Sequence, residues 1–370
     1  MKIQSFKLER YFAKYEFSAK YLLSSSDCEA LTQREVLALA DEETKSLWNN
    51  LKLGYTESQG LPLLREEISN LYQNSSIEDI LVVAPEEGIF IVMNSVLNKG
   101  DHVICTYPGY QSLYEIARAI GCEVTKWLPN EETGWWFDPD FLFNNIKPNT
   151  KLIVCNFPHN PTGYLPPNKD FTRIVNIAKE HDIHLFSDEM YRFLEHDPKH
   201  RLPSASDMYD KGISLFGMSK TFGMPGVRLG WVVTKDQELY KQLNEWKDYT
   251  TICTSAPSEI LSLMALRAKE KIISKQLSLL QRNQKILDEF FKSYSNIFSY
   301  VSPKAGSICF PHLHLDQGAY NFCQKVIQET GIMLLPSTVY DYDDEHIRIG
   351  FGRQNMAEVL KILEKYILNM

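Results

Sequence analysis

The chain has 370 residues, of which 44% are hydrophobic and 23% are charged, and its formal net charge is -8. This composition is typical of a globular protein with a large core, and the length predicts about two domains of roughly 150 residues each. The acidic balance argues against nucleic acid or an anionic membrane surface as a partner, because both bind a basic face.

Cysteine usage and the N-terminal residues predict the compartment. Seven cysteines are scattered without a C-x-x-C pair, which favours reduced thiols over a disulfide framework. The first residues, MKIQSFKLERYFAKYEF, lack the apolar segment of a signal peptide. The most apolar run, residues 80–97, is interrupted by Pro85, Glu86 and Glu87, so it does not predict a membrane span. We therefore expect a soluble, cytoplasmic protein.

Short apolar runs alternate with helical patterns through the middle of the chain. The predicted strands are 79–84, 102–106, 151–156, 183–187 and 213–216, and the predicted helices are 88–97, 111–120 and 169–180. This alternation predicts an α/β fold with a parallel sheet covered by helices on both faces. A long helical stretch, 258–294, and a closing helix, 356–369, follow. We predict a large domain at 41–254 and a smaller α+β domain from both chain ends, residues 1–40 and 255–370.

Polar residues follow each of the later predicted strands. They are Tyr107, Asn160, Asp188, Tyr191 and Lys220. Each one alone is an ordinary turn residue. In an open parallel sheet, however, ligands bind at the carboxyl ends of the strands. Their joint placement therefore predicts a ligand site at that edge of the sheet.

Lys220 stands in an unusually apolar and glycine-rich setting. A phosphate-binding P-loop is excluded, because Met218 and Ser219 separate the glycine spacing from Lys220. A half-buried lysine is suited to attack an aldehyde as a neutral amine. Pyridoxal phosphate offers that aldehyde, and its pyridine nitrogen needs a carboxylate such as Asp188. Its phosphate needs an arginine such as Arg228 and helix N-terminal amides.

Five segments resemble, in the same order, the class I/II aminotransferases, which are fold-type-I pyridoxal-phosphate enzymes. They are LGYTESQGLPLLREEI (53–68), NFPHNPTG (156–163), SDEMY (187–191), FGMSKTFGMPGVRLGW (216–231) and HIRIGFGR (346–353). The resemblance covers residues 50 to 353. It implies a large domain with a mainly parallel seven-stranded sheet flanked by helices, a smaller domain from both chain ends, and a homodimer with shared active sites.

The resemblance implies catalytic roles for Lys220, Asp188 and Tyr191. Lys220 matches the lysine that forms the Schiff base and moves the proton, and Asp188 matches the partner of the pyridine nitrogen. Tyr191 and Asn160 match the pair that binds the ring oxygen of the cofactor. Arg348, together with Asn160, matches the group that binds the α-carboxylate of the substrate.

The remaining cofactor contacts are also implied by the resemblance. Tyr107 matches the aromatic residue that stacks on the ring, and Arg228 matches the phosphate arginine. Ser219 and the backbone amides of Glu86 and Glu87 are candidates for the rest of the phosphate site. Tyr55 matches the tyrosine that reaches the phosphate of the neighbouring subunit.

Two residues at the phosphate end depart from the family pattern. Gly217 stands where a serine or threonine is usual, and Pro85 has no N–H to offer. Glu86 also brings a carboxylate close to an anion. We therefore expect looser cofactor binding, and tighter binding in Gly217→Ser.

The expected activity is an aminotransferase that moves an amino group between an L-amino acid and a 2-oxo acid. The segments 8–17 and 21–29, however, resemble a capreomycidine synthase-like subgroup, some of which act on arginine derivatives by elimination and cyclisation. A pyridoxal-phosphate lyase, cyclase or oxidase is thus the alternative, and a non-catalytic binding module on the same fold ranks below both. His312, His314 and Asp316 alternate along a predicted strand without an obvious fourth ligand, so we expect no metal.

Overall fold

The computed structural model describes residues 2–370. The helices are α1 (Lys7–Tyr15), α2 (Gln33–Leu37), α3 (Glu42–Asn49), α4 (Pro62–Ser69), α5 (Pro85–Val96), α6 (Ser112–Ile120), α7 (Asp140–Asn145), α8 (Asn168–Glu180), α9 (Ala205–Met208), α10 (Gln237–Asp248), α11 (Ala256–Arg267), α12 (Lys269–Ser293), α13 (Gly318–Thr330) and α14 (Met356–Leu368). The strands are β1 (Tyr21–Leu22), β2 (Ile80–Val83), β3 (His102–Thr106), β4 (Glu123–Trp127), β5 (Thr150–Asn156), β6 (His184–Asp188), β7 (Gly212–Gly217), β8 (Gly230–Thr234), β9 (Phe298–Ser299), β10 (Ile308–Cys309), β11 (His312–Leu313), β12 (Ile332–Met333), β13 (Leu335–Pro336) and β14 (Ile347–Gly350).

Seven strands form the central sheet, in the order β2-β8-β7-β6-β5-β3-β4. Strand β8 runs antiparallel to both of its neighbours, and the other neighbouring pairs are parallel. Every residue of β2, β3, β7 and β8 is buried, because helices cover both faces. The predicted mainly parallel, seven-stranded sheet is therefore confirmed.

The side chains of each central strand alternate between two helix layers. In β3, Val103 and Cys105 belong to the same apolar cluster as Ile91 of α5. Ile104 points to the opposite face and shares a cluster with Phe171 of α8. This two-residue period packs the sheet between the two layers and leaves the carboxyl ends of its strands as a shared edge.

The two ends of the chain meet outside this sheet. Strand β1 pairs in parallel with β12, and Leu23 lies in one apolar cluster with Phe291 of α12 and Leu360 of α14. Three further strands form the sheet β10-β14-β13. A smaller unit built from both chain ends is thus present, while its boundaries at residues 40 and 255 remain a prediction.

Several elements differ from the sequence predictions. The predicted helix over 258–294 is two helices, α11 and α12, which meet at Ala268. Helix α5 begins at Pro85 rather than at residue 88. Within residues 2–370, no helix combines the length and the apolar character that crossing a bilayer requires.

Candidate active site

A cavity of about 380 Å³ opens at the carboxyl edge of the central sheet. We call its lower side the floor, which comprises the carboxyl ends of β5, β6 and β7 and the N-terminus of α5. The opposite side is the N-terminal cover, residues 7–29. Eight residues predicted from the sequence line this one cavity: Glu86, Asn160, Asp188, Tyr191, Ser219, Lys220, Arg228 and Arg348.

Lys220 follows β7 and points its amine across the cavity at the cover. Its Nζ donates a hydrogen bond to Oγ of Ser26 at 2.9 Å. Burial lowers the pKa of the Lys220 amine, and the nearby charge of Asp27 opposes this shift. A lowered pKa increases the neutral fraction of the amine, which is the form that attacks a carbonyl carbon.

Asp188 is the last residue of β6 and is only 5% exposed. One of its carboxylate oxygens accepts a hydrogen bond from the backbone N–H of Met190 at 3.1 Å. Burial raises the pKa of this carboxyl to about 7, because the charged form loses its hydration. A cationic group placed next to Asp188 would stabilise the ionised form, as a protonated pyridine nitrogen does.

Arg348 lies in β14 and is 1% exposed, yet it forms no ion pair with the described residues. Its Nη1 donates to Oη of Tyr340 at 2.6 Å and to Oδ1 of Asn160 at 3.3 Å. Its Nε and Nη2 donate to the backbone carbonyl of Ser24, at 3.2 and 2.7 Å. A buried guanidinium with only neutral acceptors is a strong site for a carboxylate.

Tyr191 lies in the turn that follows β6, with its ring buried and its hydroxyl at the cavity. The hydroxyl donates to the backbone carbonyl of Ser26 at 3.1 Å. Burial raises the pKa of Tyr191 far above its usual value, so the hydroxyl keeps its proton and remains a donor. The cover residue Ser26 therefore contacts two of the predicted site residues, through its side chain and its main chain.

The N-terminus of α5 presents backbone amides to the cavity. Pro85 occupies the first position of the helix, and the first intrahelical bond runs from Gly88 N to the Ala84 carbonyl at 2.9 Å. The amides of Glu86 and Glu87 consequently have no backbone acceptor among the described residues. Two such amides at a helix N-terminus form a site for an anion.

Ser219 and Arg228 border the same end of the cavity. Arg228 is exposed, and its Nη1 donates to the Pro225 carbonyl at 3.0 Å. Two amides, one hydroxyl and one guanidinium together form the donor set that a phosphate group requires. The residues present therefore fit the phosphate of pyridoxal phosphate.

The two glutamates at the start of α5 point in different directions. The carboxylate of Glu87 turns away from the cavity and accepts hydrogen bonds from N and Oγ1 of Thr251, at 3.2 and 2.7 Å. The carboxyl of Glu86 lines the cavity and accepts from the hydroxyl of Ser112. Burial raises the pKa of Glu86, which favours its neutral form and reduces repulsion of a bound anion.

The two departures at the phosphate end have one structural cause. Gly217 and Gly230 are paired across β7 and β8, and the ring of Pro85 lies over this pair. A Cβ at 217 would lie 2.8 Å from Cα of Gly230 and 3.3 Å from Cγ of Pro85. A serine at 217 therefore needs a backbone shift, which argues against the expected gain in cofactor binding from Gly217→Ser.

Tyr107, predicted to stack on the cofactor ring, is not among the described residues that line the cavity. Its hydroxyl donates to the backbone carbonyls of Tyr340 and Asp341, at 2.7 and 2.6 Å, and its ring packs against Tyr114 at 5.4 Å. Among the described residues that line the cavity, the aromatic ring from this loop is that of Tyr110. The segment Tyr-Pro-Gly-Tyr contains two tyrosines, Tyr107 and Tyr110. Tyr107, which directly follows β3, is packed in the protein interior, and Tyr110 lines the cavity.

Tyr55 lies outside the cavity and is 90% exposed. Leu53, two residues earlier, is also largely exposed. The predicted contact of Tyr55 with a neighbouring subunit remains a prediction.

Sequence reasoning missed the residues of the cover. Ser24 and Ser26 bond to Arg348, Tyr191 and Lys220, although the cover residues are remote from these partners along the chain. The available signal was the departure of residues 21–29 from the family pattern. That departure indicates a different contact surface but does not identify its partners.

The comparison with protein-family models assigns the chain to a family. The model for aminotransferases of class I and II matches residues 18–365, so the chain belongs to this family. Membership makes pyridoxal phosphate the cofactor, and the donor set described above fits it.

Individual relatives with different activities resemble the chain. An aspartate aminotransferase from Pyrococcus horikoshii is 28% identical over 84% of this chain and 82% of its own. A capreomycidine synthase from Streptomyces vinaceus is 26% identical over 93% of this chain and 88% of its own. The crystal structure of a PLP-dependent aminotransferase from Streptococcus suis is 31% identical, with a TM-score of 0.93 over 100% of this chain and 99% of that one.

Proposed function

We propose that the protein is a pyridoxal-phosphate-dependent aminotransferase that moves an amino group between an L-amino acid and a 2-oxo acid. One observation carries the proposal. The Lys220 amine, the Asp188 carboxylate and the Arg348 guanidinium line one cavity, together with the free amides of α5. These groups match the aldehyde, pyridine nitrogen, phosphate and substrate carboxylate that the reaction brings together.

The floor residues hold the cofactor in this proposal. Bound there, pyridoxal phosphate supplies an aldehyde and a ring that withdraws electrons from the substrate Cα. Asp188 keeps a negative charge at the pyridine nitrogen, and Tyr191 donates a hydrogen bond to the ring oxygen. The amides of Glu86 and Glu87 and the Arg228 guanidinium bind the phosphate.

Arg348 and Asn160 orient the substrate by its α-carboxylate, which replaces the Ser24 carbonyl as the acceptor for the guanidinium. The Lys220 amine, once released from the cofactor aldehyde, would be the base that removes and holds the proton from the substrate Cα. Its lowered pKa keeps a larger neutral fraction available as the base. Proton transfer by a placed side chain contributes about 10²–10⁴-fold to the rate.

A second candidate is a pyridoxal-phosphate lyase or cyclase that shares these first steps. The similarity to a capreomycidine synthase extends over 93% of the chain, and the cover differs from the usual family pattern. The Ser26 hydroxyl, 2.9 Å from Lys220 Nζ, adds a polar group beside the base. Products separate the two candidates, because only transamination aminates the added 2-oxo acid, whereas a lyase releases ammonia and a cyclase keeps the amino group in its product.

The proposed active form is a homodimer. Twelve large apolar side chains are exposed on the described surface, and they include Leu53, Tyr55, Tyr249 and Ile252. The Thr56 hydroxyl donates to the Thr254 carbonyl at 3.0 Å and so brings the two segments that carry these four side chains together. Exposed apolar side chains that adjoin one another are typical of protein interfaces. Sedimentation or light scattering of the holoenzyme tests this state, and a monomer that keeps full activity would contradict it.

Replacement of Lys220 tests the proposed function. Lys220→Ala is expected to lower the amination rate by about 10²–10⁴-fold and to abolish borohydride trapping of the cofactor on the protein. The measurement is the conversion of an amino-acid panel with pyruvate or 2-oxoglutarate, assayed for both the new amino acid and ammonia. Lys241→Ala, on an exposed face of α10, is the matched control and should behave as the native protein. Trapping that persists in Lys220→Ala would refute the assignment.

A further inference from the structure

The segment that precedes β14 connects Arg348 with the cover. We call this segment, residues 340–346, the clamp loop. Its first residue, Tyr340, accepts a hydrogen bond from Nη1 of Arg348 at 2.6 Å. Its second residue, Asp341, forms an ion pair with Lys7 of α1. The position of the Arg348 guanidinium therefore depends on how the clamp loop is held.

His346 closes the base of the clamp loop. Its backbone carbonyl accepts from Ser337 N at 2.8 Å, and its backbone N–H donates to Ser337 Oγ at 3.2 Å. The same hydroxyl donates to the Asp343 carbonyl at 2.8 Å. The ring of Phe310 stacks on the His346 imidazole at 5.0 Å and packs edge-on against Tyr340 at 6.0 Å. The main chain and the packed rings thus transmit a displacement of His346 to Tyr340.

The imidazole of His346 joins two carboxylates from different parts of the chain. Its Nδ1 lies 2.7 Å from Oδ2 of Asp343, within the clamp loop, and its Nε2 lies 3.0 Å from Oε2 of Glu131. Glu131 belongs to the segment between β4 and α7, 215 residues away. Because an ionised carboxylate only accepts hydrogen bonds, both ring nitrogens carry a proton and the imidazole is a cation. His346 is only 3% exposed, so this cation is shielded from water.

Further titratable side chains lie around this imidazole. The ring centroid of His312, in β11, lies 4.8 Å from that of His346, and the centroid of Tyr342 lies at 5.7 Å. The Glu345 carboxylate pairs with Nε2 of His312 at 3.2 Å. Neither of the two carboxylates that contact His346 forms an ion pair with a lysine or an arginine of the described residues. The imidazolium is therefore their shared counter-charge.

The protonation of His346 agrees with this geometry. Burial lowers the pKa of the imidazole, but the hydrogen bonds and charges of Asp343 and Glu131 outweigh burial and raise the pKa to about 9. The ordinary pKa of histidine is about 6.5. The pairing therefore stabilises the fold fully below about pH 6.5, and this contribution is lost as the pH rises through about 9.

We propose, building on the proposed function, that His346 is a positioning residue for the substrate carboxylate site. As a cation shared by Glu131 and Asp343, it fixes the clamp loop against the segment between β4 and α7. It thereby holds the Tyr340 hydroxyl where this group aims the Arg348 guanidinium at the α-carboxylate. His346 does not line the cavity and touches neither substrate nor cofactor. Loss of its charge should weaken substrate binding and leave the proton transfer unchanged.

Glu131→Gln tests the role of the shared charge with the least change of shape. It should raise KM for the best amino acid of the panel and for its 2-oxo acid partner by about 10-fold each, with kcat changed by less than about twofold. The reason is that Arg348 binds the α-carboxylate equally before and during the reaction. Glu132→Gln, at the exposed neighbouring position, is the matched control and should change neither constant. An unchanged KM in Glu131→Gln would overturn the proposal.

The pH dependence separates charge from shape. In the native protein, KM for the 2-oxo acid, which has no amine to titrate, should rise above about pH 9. In Glu131→Gln this rise should begin at least about one pH unit lower, because the imidazole keeps only one carboxylate. NMR titration of the cofactor-free protein measures the same shift directly, with the His346 signal assigned by its loss in His346→Gln. A native His346 signal that titrates near pH 6.5 would overturn the proposal.

A double variant tests whether the two residues act as one unit. Glu131→Gln combined with His346→Gln should raise KM no more than His346→Gln alone, because both changes remove the same link. His200→Gln, at an exposed position, is the histidine control and should leave KM unchanged. Additive effects on KM would overturn the proposal.

The two levels of inference fail in different ways. Absence of both amination and borohydride trapping on Lys220 in the native protein would refute the proposed function. Normal amination and trapping, together with an unchanged KM in Glu131→Gln, would refute the role of His346 alone. Melting temperature and bound cofactor are measured for each variant, and a loss of cofactor in Glu131→Gln would contradict a role confined to the substrate.

Discussion

The floor and the N-terminal cover both contribute polar groups to the cavity, but they are held in different ways. On the floor, the Asp188 carbonyl accepts hydrogen bonds from Phe157 N and Asn156 Nδ2, at 3.2 and 3.1 Å. Asn156 Oδ1 in turn accepts from Asn160 N at 2.7 Å. Neighbouring strands thus fix the main chain beneath the predicted cofactor residues.

The cover is fastened by contacts with segments that are distant along the chain. Strand β1 pairs with β12 through two residue pairs, and Asp27 binds Arg353. The Ser24 carbonyl binds Arg348 across 324 residues of sequence. The difference teaches that the floor is fixed by neighbouring strands of one sheet, whereas the position of the cover depends on partners far away in the sequence.

The largest expected effect lies where the floor and the cover meet, at Arg348. Arg348→Leu should lower kcat/KM for every amino acid by about 10²–10³-fold, because it removes a buried charge-assisted carboxylate site worth about 2–5 kcal/mol. The visible absorbance of the bound cofactor should be unchanged in Arg348→Leu, since Arg348 is proposed to bind the substrate and not the cofactor. Steady-state kinetics and a visible spectrum measure both quantities.

Arg282→Leu, at an exposed position of α12, is the control for Arg348→Leu and should leave kcat/KM unchanged. A loss of cofactor in Arg348→Leu would contradict the separation between a cofactor floor and a substrate-binding side. Unchanged kinetics in that variant would contradict the proposed clamp itself.

The next largest effect concerns the free energy of unfolding, which the buried Asp188 carboxyl lowers at high pH. Its pKa is about 7 in the fold and about 3.9 in an unfolded chain, so the carboxyl stabilises the fold fully below about pH 4 and progressively loses this contribution as the pH rises through 7. Asp188→Asn should therefore make the cofactor-free protein more stable at pH 9, by on the order of 3 kcal/mol, with a smaller gain at pH 6. Urea unfolding at the two pH values measures the difference.

The same variant should bind pyridoxal phosphate more weakly, because the pyridine nitrogen loses its anionic partner. Asp210→Asn, at an exposed position, is the control and should show no pH-dependent gain. Equal stability of Asp188→Asn and the native protein at pH 9 would contradict a raised pKa of the Asp188 carboxyl in the fold.

The floor was largely predictable from the sequence, since apolar strands followed by polar residues repeat along the chain. Strand β4 was missed because it lies at the sheet edge and only Trp127 in it is buried, so it has no apolar run. The first turn of α5 was missed because Pro85 and two glutamates do not continue the apolar pattern. The contacts of the cover were beyond prediction, since no local pattern relates Ser24 to Arg348 or Ser26 to Lys220.

The smallest expected effect concerns the close approach of Gly217 in β7 to Gly230 in β8, beneath the proposed phosphate site. Gly217→Ala should lower the free energy of unfolding by about 1–3 kcal/mol, because the new methyl group meets main-chain atoms of β8 that move only with the strand. Gly226→Ala is the matched control, since a Cβ there has nothing within 4 Å and should change stability by less than about 0.5 kcal/mol. Urea unfolding of both cofactor-free variants measures the contrast. Equal stabilities of Gly217→Ala and Gly226→Ala would mean that β7 and β8 move apart at little cost. The main chain of the floor would then not be held rigidly by its neighbouring strands.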